Sequence, residues 1–300
     1  MRIGIMQGTD EGSLDALIQT ARRVEARGFS TLWMANIFSW DAITALAIIG
    51  RETSRIELGT AVVPSYPRHP MALAQQALTA GAATGGRFTL GIGLSHQIVI
   101  ENMFGLSYAR PARHMREYLE VLSPLLRGEP VKFEGELYRV QGQIQVPGAK
   151  PVPLLVAALG KAMLGHAGRL AGGTITWMTG PKTLEDHIVP TLRKAAEQAG
   201  RAAPRVVAGL PIALTNDVDA AREKLSKMYA IYGQLPSYRA MLDHEGVEGP
   251  AGVGMLGDEK ALRKQIGRLR DIGVSDFDAA ISPVEEGAHE RTFDFLASLT

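Results

Sequence analysis

Residues 56–94, IELGTAVVPSYPRHPMALAQQALTAGAATGGRFTLGIGL, contain the pattern that decides the fold. Ile56–Val63 is apolar almost throughout, which indicates a strand buried on both faces, as in a parallel sheet. Pro70–Thr84 predicts a helix, with proline at the first position, where a missing N–H costs nothing. Phe88–Leu94 predicts the next strand. The stretch is therefore a strand–helix–strand unit.

The same alternation extends in both directions from this unit. Upstream, the predicted strands Arg2–Met6 and Thr31–Ala35 precede the helices Ser13–Arg27 and Trp40–Thr53. Downstream, the predicted strands are Pro153–Ala157, Thr174–Met178, Arg205–Leu214 and Asp276–Ile281. The predicted helices there are Ala112–Arg127, Lys161–Ala171, Lys182–Ala199 (kinked at Pro190), Asp217–Ile231, Asp258–Ile272 and Ala288–Leu299. Eight such units with no break in composition predict one (β/α)8 TIM barrel over residues 1–300.

Two stretches interrupt this alternation. Residues 128–150 are rich in glycine and proline and predict a hairpin insertion with arms at Val131–Phe133 and Tyr138–Val140. Residues 232–257 predict a long loop or a mobile lid. An open doubly wound sheet is the alternative fold, but it should carry G-x-G-x-x-G after the first strand, where this chain has QGTDEG at 7–12.

Composition excludes several functional classes. The 300 residues are 46% hydrophobic and 21% charged with a net charge of +1, so no basic surface for nucleic acid is expected. The cluster Arg110, Arg113, His114 and Arg116 is interpreted as a solvated helix face. There is no cysteine, which excludes thiolate chemistry. The longest apolar run, Ala42–Ile49, is too short to span a membrane and no signal-peptide core is visible, so a cytoplasmic location is expected.

The predicted carboxyl ends of the strands, where a barrel of this kind places its active site, are rich in aromatic, small and hydroxyl side chains. The first six of them lack the paired acids of a glycosidase, and His69 and His96 alone do not suffice for a metal site, so no metal is predicted. A planar apolar cofactor with a few polar contacts suits these residues. His96 could exchange a proton near neutral pH. Gln7, Trp40 and Trp177 are expected to line a substrate pocket.

Three segments resemble the luciferase-like monooxygenase superfamily. They are Leu58–Pro70, with its glycine–threonine strand and terminal Arg-His-Pro; Gly86–Gly93; and Val156–Gly160 with the following Ala171–Met178. Residues 93–96 and 110–114 are most similar to the branch that uses the deazaflavin coenzyme F420. The resemblance covers nearly the whole chain, and its first segment is the most specific.

The resemblance implies a cofactor site. A bulge in the third strand, usually with a non-prolyl cis peptide, would press on the ring of the cofactor at Ala61–Val62. Backbone N–H groups of Ala158, Leu159 and Gly160 would meet the phosphodiester. Asn36 would hydrogen-bond the ring edge. The other residues expected at the cofactor are Gly93, Ser95, Ala157, Gly173 and Thr174.

This sequence also departs from the family pattern. Sugar-phosphate dehydrogenases of the branch carry an Asp-His pair after the second strand and a glutamate after the fourth. Here Asn36-Ile37 and His96 stand at these places, and Trp40 is one residue out of register. A sugar-phosphate substrate is therefore not expected. His96 is the predicted proton donor or acceptor, with Glu101 as the fallback.

The function expected from the residues and the resemblance is hydride transfer between F420 and a small organic substrate, in a homodimeric enzyme. Three alternatives stay open at this point. They are an FMN-dependent monooxygenase of the same fold that works with a separate flavin reductase, a non-catalytic cofactor-binding protein, and a metal-dependent barrel hydrolase.

Overall fold

The computed structural model describes residues 1–8 and 12–300 and contains a closed parallel barrel. Each barrel strand pairs with the next, and the eighth pairs with the seventh and the first, which closes the sheet. The predicted (β/α)8 fold is confirmed. The strands are β1 (Arg2–Gln7), β2 (Thr31–Met34), β3 (Glu57–Thr60), β4 (Phe88–Gly93), β5 (Leu154–Val156), β6 (Gly173–Trp177), β7 (Arg205–Leu214) and β8 (Asp276–Ile281).

Helices surround this barrel. Several begin at the residue types that favour helix starts: Ser13, Asp41 and Asp258 each accept a hydrogen bond from a backbone N–H in the first turn. The helices are α1 (Leu14–Ala26), α2 (Ala42–Arg51), α3 (Pro70–Ala83), α4 (Gln97–Asn102), α5 (Pro111–Leu126), α6 (Lys161–Leu170), α7 (Pro181–Thr183, then a π-helical turn Leu184–Ile188, then Val189–Gln198), α8 (Val218–Met228), α9 (Pro236–Glu245), α10 (Glu259–Asp271) and α11 (Ala288–Ala297). In α7, the irregular turn lies directly before Pro190, where a kink was predicted.

Charged side chains close the amino-terminal end of the barrel. Arg205 donates to Glu57 at 2.6 Å and to Asp276 at 2.7 Å, and Arg2 donates to the same two carboxylates at 2.7 and 2.5 Å. Farther into the barrel lies an apolar cluster of Trp33, Leu155, Ile175 and Val207. Because one end is closed by this network, a ligand of the barrel can enter at the other end, which we call the mouth.

The insertion at 128–150 contains an antiparallel hairpin with arms Val131–Glu134 and Arg139–Gly142. The buried Glu117 of α5 accepts hydrogen bonds from the backbone N–H groups of the hairpin turn, at residues 136, 137 and 138. One carboxylate therefore attaches the hairpin to the barrel.

The prediction of a long loop at 232–257 is wrong. The segment contains the ten-residue helix α9, two 3-10 turns (Ala230–Gly233 and Pro250–Val253) and the short strand Met255–Gly257, which pairs with the end of β7. Pro236 occupies the first turn of α9, and Gly246 ends it in the left-handed conformation at φ 85°. Pro236 is thus a helix start signal and Gly246 a helix stop signal.

Among the residues that the structure describes, no helix is both long and apolar enough to cross a bilayer.

Candidate active site

Strand β3 is interrupted at the mouth. The peptide bond Ala61–Val62 is cis, as the family resemblance implied, and the chain then resumes pairing with β4 through Val63–Pro64. The neighbouring strand holds this bulge on both sides: the N–H of Ala61 donates to the carbonyl of Met34 at 2.8 Å, and the N–H of Asn36 donates to the carbonyl of Val62 at 3.4 Å. Ala61 and Val62 are half-exposed, so the bulge presents a small apolar surface to the mouth.

Two glycines of β4 make room for the bulge. A Cβ on Gly91 would lie 2.1 Å from the carbonyl oxygen of Thr60, and a Cβ on Gly93 would lie 2.8 Å from Val62 Cγ2. The Thr60 hydroxyl also accepts from the N–H of Gly91 and donates to its carbonyl, both at 2.8 Å. Gly93 is buried behind the bulge and lets Val62 approach β4 closely.

The end of β4 brings His96 to the mouth. Ser95, before it, has a positive φ of 62°, unusual for a residue with a side chain and common at functional sites. His96 is half-buried, and burial lowers the pKa of its imidazole, so its neutral form dominates at neutral pH. The fallback residue Glu101 is exposed and accepts hydrogen bonds from Gln97 and from the backbone of Tyr108. Glu101 is therefore already engaged in hydrogen bonds within its own segment, whereas His96 lies at the mouth.

A buried network stabilises the loop after β3. His114 belongs to this network, so its interpretation as part of a solvated helix face is wrong. His114 is 4% exposed, its Nε2 lies 2.9 Å from the Ser65 hydroxyl, and the Tyr66 ring stacks on it at 3.8 Å. Burial lowers the pKa of His114 to about 4, so the imidazole is neutral at physiological pH. Arg110, directly before α5, and Arg116 on the helix face solvent. His114 points into the protein because it lies on the apolar stripe of the helix.

The loop after β2 is also held by polar contacts. The Asn36 side-chain oxygen accepts from the N–H of Ala42, at the start of α2, at 3.0 Å. Arg68 donates to Asp41 at 2.9 Å and lies 3.5 Å from the same Asn36 oxygen. Asn36 therefore uses its carbonyl oxygen to position α2. Trp40 and Gln7 lie on neighbouring segments, Trp40 partly buried and Gln7 buried at the end of β1.

An aromatic group forms another side of the mouth, and sequence reasoning found only one of its members. Trp177, at the end of β6, lies with its ring centroid 5.7 Å from that of Tyr229 and 6.0 Å from that of Tyr232. Tyr232 is 5.1 Å from Tyr238 of α9, which in turn is 5.8 Å from His96. We call Trp177, Tyr229, Tyr232 and Tyr238 the aromatic wall. Its tyrosines follow β7 by 15 residues or more, so no local sequence pattern associates them with Trp177.

Met178, directly after the wall tryptophan, is a further residue that the sequence did not indicate. Its φ is 51°, the left-handed region that methionine rarely adopts, and it is fully buried. A positive φ at methionine leaves no signal in the sequence, whereas glycine or asparagine would have suggested it.

Helix α6 has an open amino-terminal end at the mouth. Its N-cap, Gly160, is exposed, no side chain caps it, and a Cβ there would meet no atom within 4 Å. The preceding Leu159 accepts a hydrogen bond from His187 Nε2 at 2.7 Å. The Thr174 hydroxyl donates to the carbonyl of Val156 at 2.8 Å, so Thr174 braces the segment Ala157–Gly160 from behind. First-turn N–H groups that no side chain caps are suited to an anion.

The role expected for Gly173 at the cofactor is wrong. Gly173 begins β6 and pairs with Arg205, in the charged network at the closed end of the barrel. A Cβ on Gly173 would lie 2.0 Å from the carbonyl oxygen of Arg205. Glycine is therefore needed there for close approach of two backbones, and not for a ligand.

The residues 1–8 and 12–300 contain no group of three or more histidine, aspartate or glutamate side chains placed to hold a metal ion.

Comparison with known proteins agrees with this geometry. A family model described as luciferase-like monooxygenase matches residues 1–290, and the chain belongs to this family. An F420-dependent glucose-6-phosphate dehydrogenase of Nakamurella multipartita is 28% identical over 286 residues, which cover 89% of this chain and 82% of that protein.

Two solved structures share the fold. The coenzyme F420 dependent tetrahydromethanopterin reductase of Methanopyrus kandleri superposes with a TM-score of 0.81 at 23% identity, over 99% of this chain and 97% of that one. The oxygenating constituent of a 3,6-diketocamphane monooxygenase of Pseudomonas putida, in complex with FMN, has a TM-score of 0.76 at 15% identity, over 99% and 96%.

Proposed function

We propose that this protein is an F420-dependent oxidoreductase that transfers a hydride between the deazaflavin and a small organic substrate. The observation that carries the proposal is the conjunction, at one barrel mouth, of the Ala61–Val62 bulge and the open amino-terminal end of α6. A flat tricyclic ring needs an apolar surface, and a phosphodiester needs N–H groups. Relatives named for F420 support the choice of cofactor.

The residues at the mouth fit such a cofactor in the following way. Ala61 and Val62 would contact the ring, with Gly93 and Ala157 behind them, and Asn36 and Ser95 would lie at its polar edge. The N–H groups of the first turn of α6 would bind the phosphodiester, and the exposed Lys161 adds a positive charge beside them. When bound, the deazaflavin would supply or accept the hydride.

The chain itself supplies orientation and proton transfer. His96 is neutral at neutral pH, so its imidazole can accept the proton of a substrate hydroxyl during oxidation. The same nitrogen, once protonated, returns that proton to the oxygen in the reverse direction. Trp40, Trp177 and Gln7 would line the substrate side of the mouth.

An FMN-dependent monooxygenase is the second candidate, because a protein that binds FMN shares this fold at a TM-score of 0.76. A parallel fluorescence titration of the purified protein with F420 and with FMN distinguishes the two. We expect saturable binding of F420 at micromolar concentration and much weaker binding of FMN. Micromolar binding of FMN without binding of F420 would reverse the assignment.

A homodimer and a cytoplasmic location stay predictions. Light scattering during size-exclusion chromatography measures the first, and a particle of twice the 32.2 kDa chain mass is expected.

A further inference from the structure

The aromatic wall carries an inference about the substrate, and this inference builds on the proposed function. Tyr232, Tyr238 and Trp177 are each half-buried. The rings stand nearly perpendicular to their neighbours, at 84° between Tyr232 and Tyr238 and 72° between Trp177 and Tyr232. Rings that already pair edge to face present an apolar surface of the kind on which a further aromatic or alicyclic group packs.

The wall is preformed, because α9 is held at its carboxyl-terminal end. The carboxylate of Glu245 accepts from the hydroxyl of Thr183 at 2.7 Å and from its N–H at 2.8 Å. Arg239 donates to the carbonyls of Val247 and Glu248 at 2.9 and 2.6 Å. Tyr238, next to Arg239, is thus held beside His96 by the folded helix.

Three arginines on the loops and helices that follow the barrel strands are already paired. Arg68 is bound to Asp41, Arg239 to Asp243, and Arg110 to Glu136, at 2.7 to 2.9 Å. The wall itself consists of neutral rings. A phosphorylated or carboxylated substrate would gain no charge-assisted hydrogen bond from these arginines without breaking an existing pair.

We propose that the substrate is an uncharged alcohol or ketone with an aromatic or alicyclic group, and that this group packs on Tyr238, Tyr232 and Trp177. Tyr238 is the specificity-determining residue, because it is the wall residue that also contacts the proposed proton-transfer residue His96. Sugar phosphates are excluded on the same grounds.

The test is a ligand-observed NMR titration of the protein, with and without F420, using 1-phenylethanol and glucose 6-phosphate as probes. We expect saturable binding of 1-phenylethanol and no binding of glucose 6-phosphate. Tyr238→Ala should weaken 1-phenylethanol binding about tenfold, and Tyr238→Phe, which keeps the ring, should leave it unchanged. Tyr232→Ala and Tyr232→Phe form a second pair if Tyr238→Ala lowers the melting temperature.

Tighter binding of glucose 6-phosphate than of 1-phenylethanol would overturn the inference. So would an unchanged affinity for 1-phenylethanol in a folded Tyr238→Ala or Tyr232→Ala variant. The proposed function is tested separately by the F420 titration: a protein that binds 1-phenylethanol at the wall but not F420 contradicts the cofactor assignment and leaves the wall assignment standing.

Discussion

Helices α6 and α7 both begin at a glycine after neighbouring barrel strands, yet their amino-terminal ends differ. At α7 the carboxylate of Glu245 accepts from the N–H groups of Lys182 and Thr183 at 3.1 and 2.8 Å. A Cβ on Gly180 would lie 2.3 Å from the Glu245 carboxyl carbon, whereas a Cβ on Gly160 of α6 would meet no atom within 4 Å.

The two helix starts at the same barrel mouth therefore have different uses. A helix start is a site for negative charge, and the protein fills one with its own carboxylate and leaves the other exposed. The filled site attaches α9, and with it the aromatic wall, to the barrel. The open site is the one we assign to the phosphodiester of the cofactor. The predictions below test this division, starting with the largest effect.

Replacing His96 should impair proton transfer without weakening the binding of F420. His96→Ala should lower kcat for oxidation of 1-phenylethanol by about 10²–10⁴-fold while the affinity for F420 stays unchanged, because the phosphodiester site is elsewhere. Burial lowers the pKa of His96, so the neutral base should dominate at pH 7 and the wild-type rate should fall only as pH decreases below 6.5. Steady-state kinetics from pH 5 to pH 8 measure both effects. A large loss of F420 affinity in His96→Ala would contradict the separation.

Introducing a carboxylate at the open helix start should make it resemble the filled one. Gly160→Asp should lower the affinity for F420 about 100-fold, because the new carboxylate competes with the phosphodiester for the same N–H groups and repels it. Aspartate is also a good N-cap, so the melting temperature should not fall. Gly160→Ala is the matched control, and its Cβ has free space. Equal affinities of the two variants would show that the phosphodiester binds elsewhere.

Removing the carboxylate from the filled helix start should expose a second anion site. Glu245→Ala should lower the free energy of unfolding by about 1–2 kcal/mol, since Thr183 and the first-turn N–H groups lose their acceptor. Added sulfate should then stabilise the variant more than the wild type. Thermal unfolding with and without sulfate measures this. If sulfate raises both melting temperatures equally, the carboxylate does not occupy an anion site.

Lys161 and Lys182 lie in the first turns of α6 and α7, and replacing either should change the affinity for F420 less than the substitutions above. Lys161→Ala should weaken F420 binding about fivefold at low salt, and the loss should shrink as ionic strength rises, because Lys161 is exposed and its charge is screened. Lys182→Ala, at the filled start of α7, should leave the affinity unchanged. Titrations at two salt concentrations compare the variants, and equal losses would argue against an assignment to α6.

The sequence predicts the barrel well because apolar runs and amphipathic stretches alternate with a constant rhythm. The position of the Ala61–Val62 bulge followed from a specific resemblance, and His96 followed from its place after β4. Both depend on residues that are close together along the chain.

The residues that sequence reasoning missed are brought together by tertiary folding. Tyr238 meets His96 only because α9 folds across the mouth, and the proline and glycine at the ends of α9 look like loop residues when read locally. Gly173 was misplaced for a related reason. A glycine where a strand begins and one near a strand end look alike in sequence, but they lie at opposite ends of the barrel.

The most direct test of the cofactor site is a crystal structure of the protein in complex with F420. We expect the ring against Ala61–Val62 and a phosphodiester oxygen within hydrogen-bond distance of the first-turn N–H groups of α6. A phosphodiester bound away from Gly160, or a ring that does not touch the bulge, would contradict the account.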